Sequence, residues 1–140
     1  MSIVKIGVIG YGYWGPNIVR NFYTNPSCKV CFIGDSKPER LSILNTQYPN
    51  IRLTNNADEI INDPDIDAIV ITTPTVSHFE LAKKSLENGK HVLVEKPLTI
   101  SVKEAEVLIE LATRYKLVLM TDHTFLYTGA IKKMKELLDS

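Results

Sequence analysis

A chain of 140 residues, 44% hydrophobic and 23% charged, has the size and make-up of one globular domain with its own core. Lys+Arg and Asp+Glu are both 16, so the formal net charge is +0, and the balance points neither to nucleic acid nor to a membrane surface. The longest apolar runs, such as Ala68 to Ile71, fall far short of the ~20 residues that cross a bilayer, and the start shows no signal-peptide pattern, so a cytosolic (cytoplasmic) protein is expected.

Two periodicities alternate along the chain. Ile3 to Ile9 is a β-branched run that predicts a strand, and Trp14 to Thr24 a helix with Ile18, Val19 and Phe22 on one side. Lys29 to Ile33 follows as a second strand. Pro38 to Tyr48 predicts a helix, with Leu41, Leu44 and Tyr48 at helical spacing and Pro38 suited to the first turn. Ile51 to Leu53 is a short strand, Ala57 to Ile61 a short helix, and Asp67 to Thr72 a buried strand. Val76 to Asn88 predicts a helix with Thr75 as N-cap and Gly89 just past its end. After the strand His91 to Val94, Ser101 and Glu104 have capping-box spacing for a helix over Val102 to Tyr115. Leu117 to Thr121 is a sixth strand and Ala130 to Leu138 a last helix.

Strand and helix in alternation, with short turns, mean parallel pairing by right-handed crossovers. The expected fold class is α/β, a Rossmann-type doubly wound parallel sheet of order 3-2-1-4-5-6. Residues 1–122 are expected to form the dinucleotide-binding domain, and 123–140 a linker and the start of a helix. Cys28 and Cys31 have C-x-x-C spacing, but no second Cys/His pair would complete a zinc site. Cys31 falls within a strand, so both are read as inert structural cysteines, and no metal is expected.

Between the first strand and first helix stands Gly10-Tyr11-Gly12-Tyr13-Trp14-Gly15, a G-x-G-x-x-G sequence. Alone it also describes an ordinary tight turn. At a strand–turn–helix junction it implies a dinucleotide site. Gly10 permits the turn, Gly12 lets the backbone approach a pyrophosphate, and Gly15 lets helix and strand pack closely. The N–H groups of Tyr13 and Trp14 would face the phosphates. Asp35 stands at the end of the second strand, where an acidic residue accepts from the adenosine ribose. It favours NAD. Ser36, Lys37 and Arg40 lie close by and could take the extra phosphate of NADP if Asp35 turned away.

Further signals sit at later strand ends, where open α/β sheets bind ligands. They are Thr72-Thr73-Pro74-Thr75 with His78, then Glu95-Lys96-Pro97, then Thr121-Asp122-His123. With Gly89-Lys90-His91-Val92-Leu93-Val94-Glu95-Lys96-Pro97-Leu98, the chain resembles the Gfo/Idh/MocA oxidoreductases over residues 3–138. Gly10 to Asn17 and His123 to Tyr127 look like members acting on nucleotide-linked sugars.

The resemblance implies hydride transfer between a nicotinamide cofactor and a hydroxyl-bearing carbon of a sugar or nucleotide sugar. Lys96 would be catalytic, beside the nicotinamide and the reacting carbon. Pro97 would follow a cis peptide bond. Glu95 would contact the nicotinamide ribose. Thr73, Pro74 and His78 would line the cofactor's middle, after Thr72, and His123 would edge the nicotinamide pocket. Members continue into a second domain that carries the substrate pocket and an acid/base histidine, for which His78, His91 and His123 are no substitute. The 140 residues are therefore expected to bind cofactor without turnover. A stand-alone NAD-binding or regulatory module is the alternative, and a methyltransferase a weaker one, since Lys96 has no role there. The last helix, with Ile131, Met134, Leu137 and Leu138, is expected to pack back on the sheet or to mediate self-association as a homo-oligomer.

Overall fold

The computed structural model describes residues 3–140. Six strands form one parallel sheet: β1 (Val4–Ile9), β2 (Cys28–Gly34), β3 (Arg52–Thr54), β4 (Ala68–Ile71), β5 (His91–Val94) and β6 (Leu119–Thr121). Their order is β3-β2-β1-β4-β5-β6, the doubly wound arrangement expected from the sequence. Seven α-helices accompany them: α1 (Gly15–Thr24), α2 (Pro38–Leu41), α3 (Leu44–Gln47), α4 (Ala57–Ile61), α5 (His78–Glu87), α6 (Val102–Tyr115) and α7 (Gly129–Leu138). Among the described residues no helix is long and apolar enough to cross a membrane.

Side chains alternate across each strand, so the sheet has two cores. On one face Ile6, Val8, Ile33 and Val70 pack with Val19 of α1, Leu41 of α2 and Leu44 of α3. On the other, Ile9, Ile69, Ile71, Val92 and Val94 pack with Ile60 of α4, Leu86 of α5 and Leu108 of α6. Both faces being covered explains why the central strands read as continuous apolar runs. Cys28 packs against the first cluster and Cys31 against the second, and both are free thiols.

The stretch expected to be one helix over Pro38 to Tyr48 is two short ones. The Ser42 hydroxyl donates to the Glu39 carbonyl (2.8 Å), and such a bond competes with the helical ladder at the break. Leu41, Leu44 and Tyr48 are nevertheless all buried, as their spacing implied. Thr75 does not cap α5; it opens a 3-10 turn, Thr75–Ser77, and α5 starts at His78. Gly89 ends that helix at φ +73°, where its N–H donates to the Leu86 carbonyl. Ser101 caps α6 by accepting from Glu104 N–H (3.3 Å), while the Glu104 carboxylate accepts from Ile100 N–H. The sixth strand starts later than expected because Lys116 is left-handed (φ +55°) and Val118 N–H donates to His91 Nδ1 rather than to a ladder carbonyl. A 3-10 turn over Thr124–Tyr127, which no periodicity announced, precedes α7. Helix α7 packs against that turn and has no buried residue, so its expected return onto the sheet is not what the structure shows.

Ile69 is fully buried in central β4. Ile69→Ala should lower unfolding free energy by about 2–5 kcal/mol in urea titrations, through lost burial and the cavity left behind.

Candidate functional site

The parallel register brings the carboxyl ends of β1, β4 and β5 into line, with Ile9 beside Ile71 and Ile71 beside Val94. The chain leaves β1 at Gly10, whose φ is +102°. A β-carbon there would lie 2.8 Å from the Thr72 carbonyl carbon, so neither the conformation nor the space admits a side chain. Thr72 fixes the approach: its N–H donates to Ile9 O (2.9 Å) and its hydroxyl to Gly10 O (2.6 Å). At Gly15 a β-carbon would meet Gly10 O at 2.6 Å, the close helix–strand contact expected of that glycine.

A cleft of about 500 Å³ opens along this edge. Of the residues singled out in the sequence, Gly10, Gly12, Tyr13, Trp14, Asp35, Ser36, Arg40, Thr72, Thr73 and Pro74 line it. Asn55, Ala57, Ser77 and Leu81 line it too, and sequence reasoning passed them over. Asn55 directly follows β3, so the rule that ligands lie at strand carboxyl ends pointed to it. Ala57, Ser77 and Leu81 belong to the crossovers and carry no local signal.

Asp35 is 6% exposed. Its Oδ2 accepts from Tyr11 N–H (2.7 Å) and its Oδ1 from Lys37 N–H (2.8 Å), and Arg40 Nη1 approaches Oδ2 at 3.1 Å. Burial raises the carboxyl pKa, but those three partners outweigh it and hold the group below the usual aspartate value. The carboxylate expected to face a ribose thus also ties the glycine loop to β2. Arg40, held by Asp35, reaches over Gly12 at the cleft wall.

The remaining expected residues do not line the cleft. Gly15 is buried beneath the loop. Lys96, Pro97 and His123 are exposed at the neighbouring strand ends, and Glu95 is buried there. The Lys96–Pro97 bond is cis, as the resemblance implied. Glu95 Oε2 accepts from Lys96 N–H (3.0 Å). Desolvation, then the charge of Asp122 on the adjacent strand end, raises the Glu95 pKa above the usual glutamate value. His78 was expected along the cofactor's middle. It is instead 1% exposed, with Nδ1 2.9 Å from Pro97 O and Nε2 2.8 Å from Thr73 O. Its ring nitrogens are taken up by backbone carbonyls, which leaves neither for a ligand.

A glycine-only cradle at a helix N-terminus, an anionic residue closing the second strand and a cleft between them suit a dinucleotide. The family profile described as "Oxidoreductase family, NAD-binding Rossmann fold" matches residues 4–123. The chain belongs to the Gfo/Idh/MocA oxidoreductase family. It is an NAD-binding Rossmann domain. An uncharacterized oxidoreductase of Escherichia coli, YdgJ, is 33% identical over 136 residues, 96% of this chain and 38% of that protein. The scyllo-inositol 2-dehydrogenase (NAD(+)) of Bacillus subtilis is 34% identical over 108 residues, 76% of this chain and 32% of that protein. A 3-ketoreductase from Actinomadura kijaniata, solved in an open conformation with TDP-benzene and NADP, superposes with a TM-score of 0.89 at 27% identity, covering 99% of this chain and 44% of that one. The chain therefore spans less than half the length of these relatives.

Two carboxyl groups should titrate in opposite senses. Asp35, with its lowered pKa, contributes stability present above the ordinary aspartate value of about 3.9 and lost as pH falls through the lower folded value. Asp35→Asn should cost about 1–3 kcal/mol at neutral pH, with the gap from wild type closing in strong acid. Glu95, with its raised pKa, contributes stability that is full below about 4.3 and lost as pH rises through the folded value. Glu95→Gln should therefore raise Tm at neutral pH, and the gain should vanish in mild acid. Thermal melts across pH check both.

Proposed function

We propose that this chain is the cofactor half of an oxidoreductase that moves hydride between a nicotinamide and a hydroxyl-bearing carbon of a sugar or nucleotide-linked sugar. The observation that carries the reading is the cleft between the glycine loop and the Thr72–Pro74 turn, with Lys96 at the next strand end along. Residues 1–122 are taken as the dinucleotide-binding domain and 123–140 as the lead into a second, substrate-bearing domain. The exposed apolar residues of α7, among them Met134 and Leu137, suit a helix that another unit covers. On this reading the 140 residues bind cofactor without turnover.

The glycine loop would receive the pyrophosphate on the N–H groups of Tyr13 and Trp14, just ahead of α1. Asp35 would accept from the adenosine ribose, and its buried charge would repel a 2′-phosphate, so NAD is preferred. Arg40 is the group that would meet that phosphate if Asp35 were removed. The nicotinamide, when bound, supplies the hydride acceptor. Glu95 would hold its ribose, Pro97 would flank it, and His123 would edge its pocket. The Lys96 ammonium would stabilise negative charge growing on the substrate oxygen. The nucleotide-sugar preference rests on Tyr13-Trp14-Gly15-Pro16 and on His123 to Tyr127; the relatives described above include an inositol dehydrogenase and a ketoreductase.

Trp14 is the single tryptophan and lines the cleft, so its fluorescence reports binding. NAD should bind at least about tenfold more tightly than NADP, a difference of about 1.4 kcal/mol. Asp35→Ser should reverse the order, and equal or tighter NADP binding by the wild type would refute the preference. Lys96→Met should leave ADP affinity unchanged and, in the longer protein, lower kcat by about a hundredfold or more if it stabilises transition-state charge.

A further inference from the structure

Two turns at the carboxyl edge of the sheet have the same gap in their hydrogen bonding. After β4 the chain runs Thr72-Thr73-Pro74, and after β5 it runs Glu95-Lys96-Pro97. Proline brings no N–H to either turn. Among the described residues no backbone amide donates to Thr73 O or Pro97 O. Both carbonyls sit at part-buried contacts, where a donor makes up for lost water.

His78 serves both. The 3-10 turn Thr75–Ser77 carries the chain back so that the first residue of α5 lies under the two loops. Its ring stands 2.8 Å from Thr73 O, five residues back, and 2.9 Å from Pro97 O, nineteen residues on. At 1% exposure it is among the most buried polar side chains of the molecule. One of its partners belongs to the turn that walls the cleft, and the other to the turn that carries Lys96.

We propose that His78 is a positioning residue: its ring clamps the Lys96–Pro97 turn to the Thr73–Pro74 wall and so sets where Glu95 and Lys96 stand against the nicotinamide end of the cofactor. This rests on the NAD reading of the cleft. Both partners only accept, so a neutral ring donates its single N–H to one of the two carbonyls at a time. A glutamine amide offers two hydrogens on one nitrogen and can serve the same carbonyls. Leucine fills comparable space and offers none.

The test titrates the 140-residue chain with NAD and with ADP, following Trp14 fluorescence. ADP occupies the glycine-loop end and lacks the nicotinamide and its ribose. His78→Leu should weaken NAD binding about five- to tenfold, the range for one or two lost hydrogen bonds, with ADP affinity held within about twofold. His78→Gln should restore NAD affinity to within about twofold of wild type. If the leucine variant does not fold, His78→Asn takes its place. It is one methylene shorter than glutamine, reaches only one carbonyl, and should show the same selective loss. Equal loss of NAD and ADP would make His78 merely structural and overturn the inference, as would unchanged NAD binding. Wild-type binding of ADP without NAD would also overturn it. If the wild type binds neither, the NAD reading itself fails and the inference falls with it.

Discussion

The backbone leaving β1 passes the backbone leaving β4 so closely that Thr72 bonds to both Ile9 O and Gly10 O. No side chain fits at Gly10 in that gap. The close approach sets the direction of the glycine loop, and the loop sets the start of α1. It also leaves Tyr13 and Trp14, just ahead of α1, lining the cleft. The rest of the carboxyl edge is arranged around it. Asp35 ties the loop from the β2 side through Tyr11 N–H, and the Thr73–Pro74 turn walls it from the β4 side.

The cost of this arrangement is visible in the polar groups it draws from water. Asp35 is almost wholly buried as an anion and is offset by two amides and one guanidinium. Glu95 is buried beside Asp122, and its ionised form is disfavoured. Two carbonyls without amide partners at proline turns lie within hydrogen-bond distance of one histidine ring. These groups sit at strand ends, where the ladder has stopped supplying partners and side chains must take over. That is the edge at which a doubly wound sheet offers a ligand site. The elements far from it, such as α6 with its capping serine, satisfy themselves locally.

Much of this was legible in the sequence. Alternating strand and helix patterns led to the strand order, because short crossovers between twisted strands leave few topologies. The glycine loop, Asp35 and the Thr72–Pro74 turn were each expected at the cleft, and each lines it. Those residues lie at the ends of elements that periodicity can place. The misses are of another kind. The break between α2 and α3 depends on a hydroxyl competing with the helix at Ser42. The late start of β6 depends on an imidazole nitrogen taking the place of a carbonyl. Neither leaves a trace in hydropathy.

His78 marks the division most plainly. The sequence alone determined that a histidine follows a strand-end Thr-Thr-Pro turn, and that a Lys-Pro turn closes the next strand. Which way the imidazole points was decided only by tertiary structure. The parallel pairing of β4 with β5 sets the two turns side by side, and α5 packs so that its first residue lies beneath them. The same holds for Glu95, whose neighbour Asp122 stands just past the end of β6. Local pattern reports which groups a chain carries. Which charges and carbonyls they must answer depends on elements distant in sequence, brought within hydrogen-bond reach only when the sheet closes.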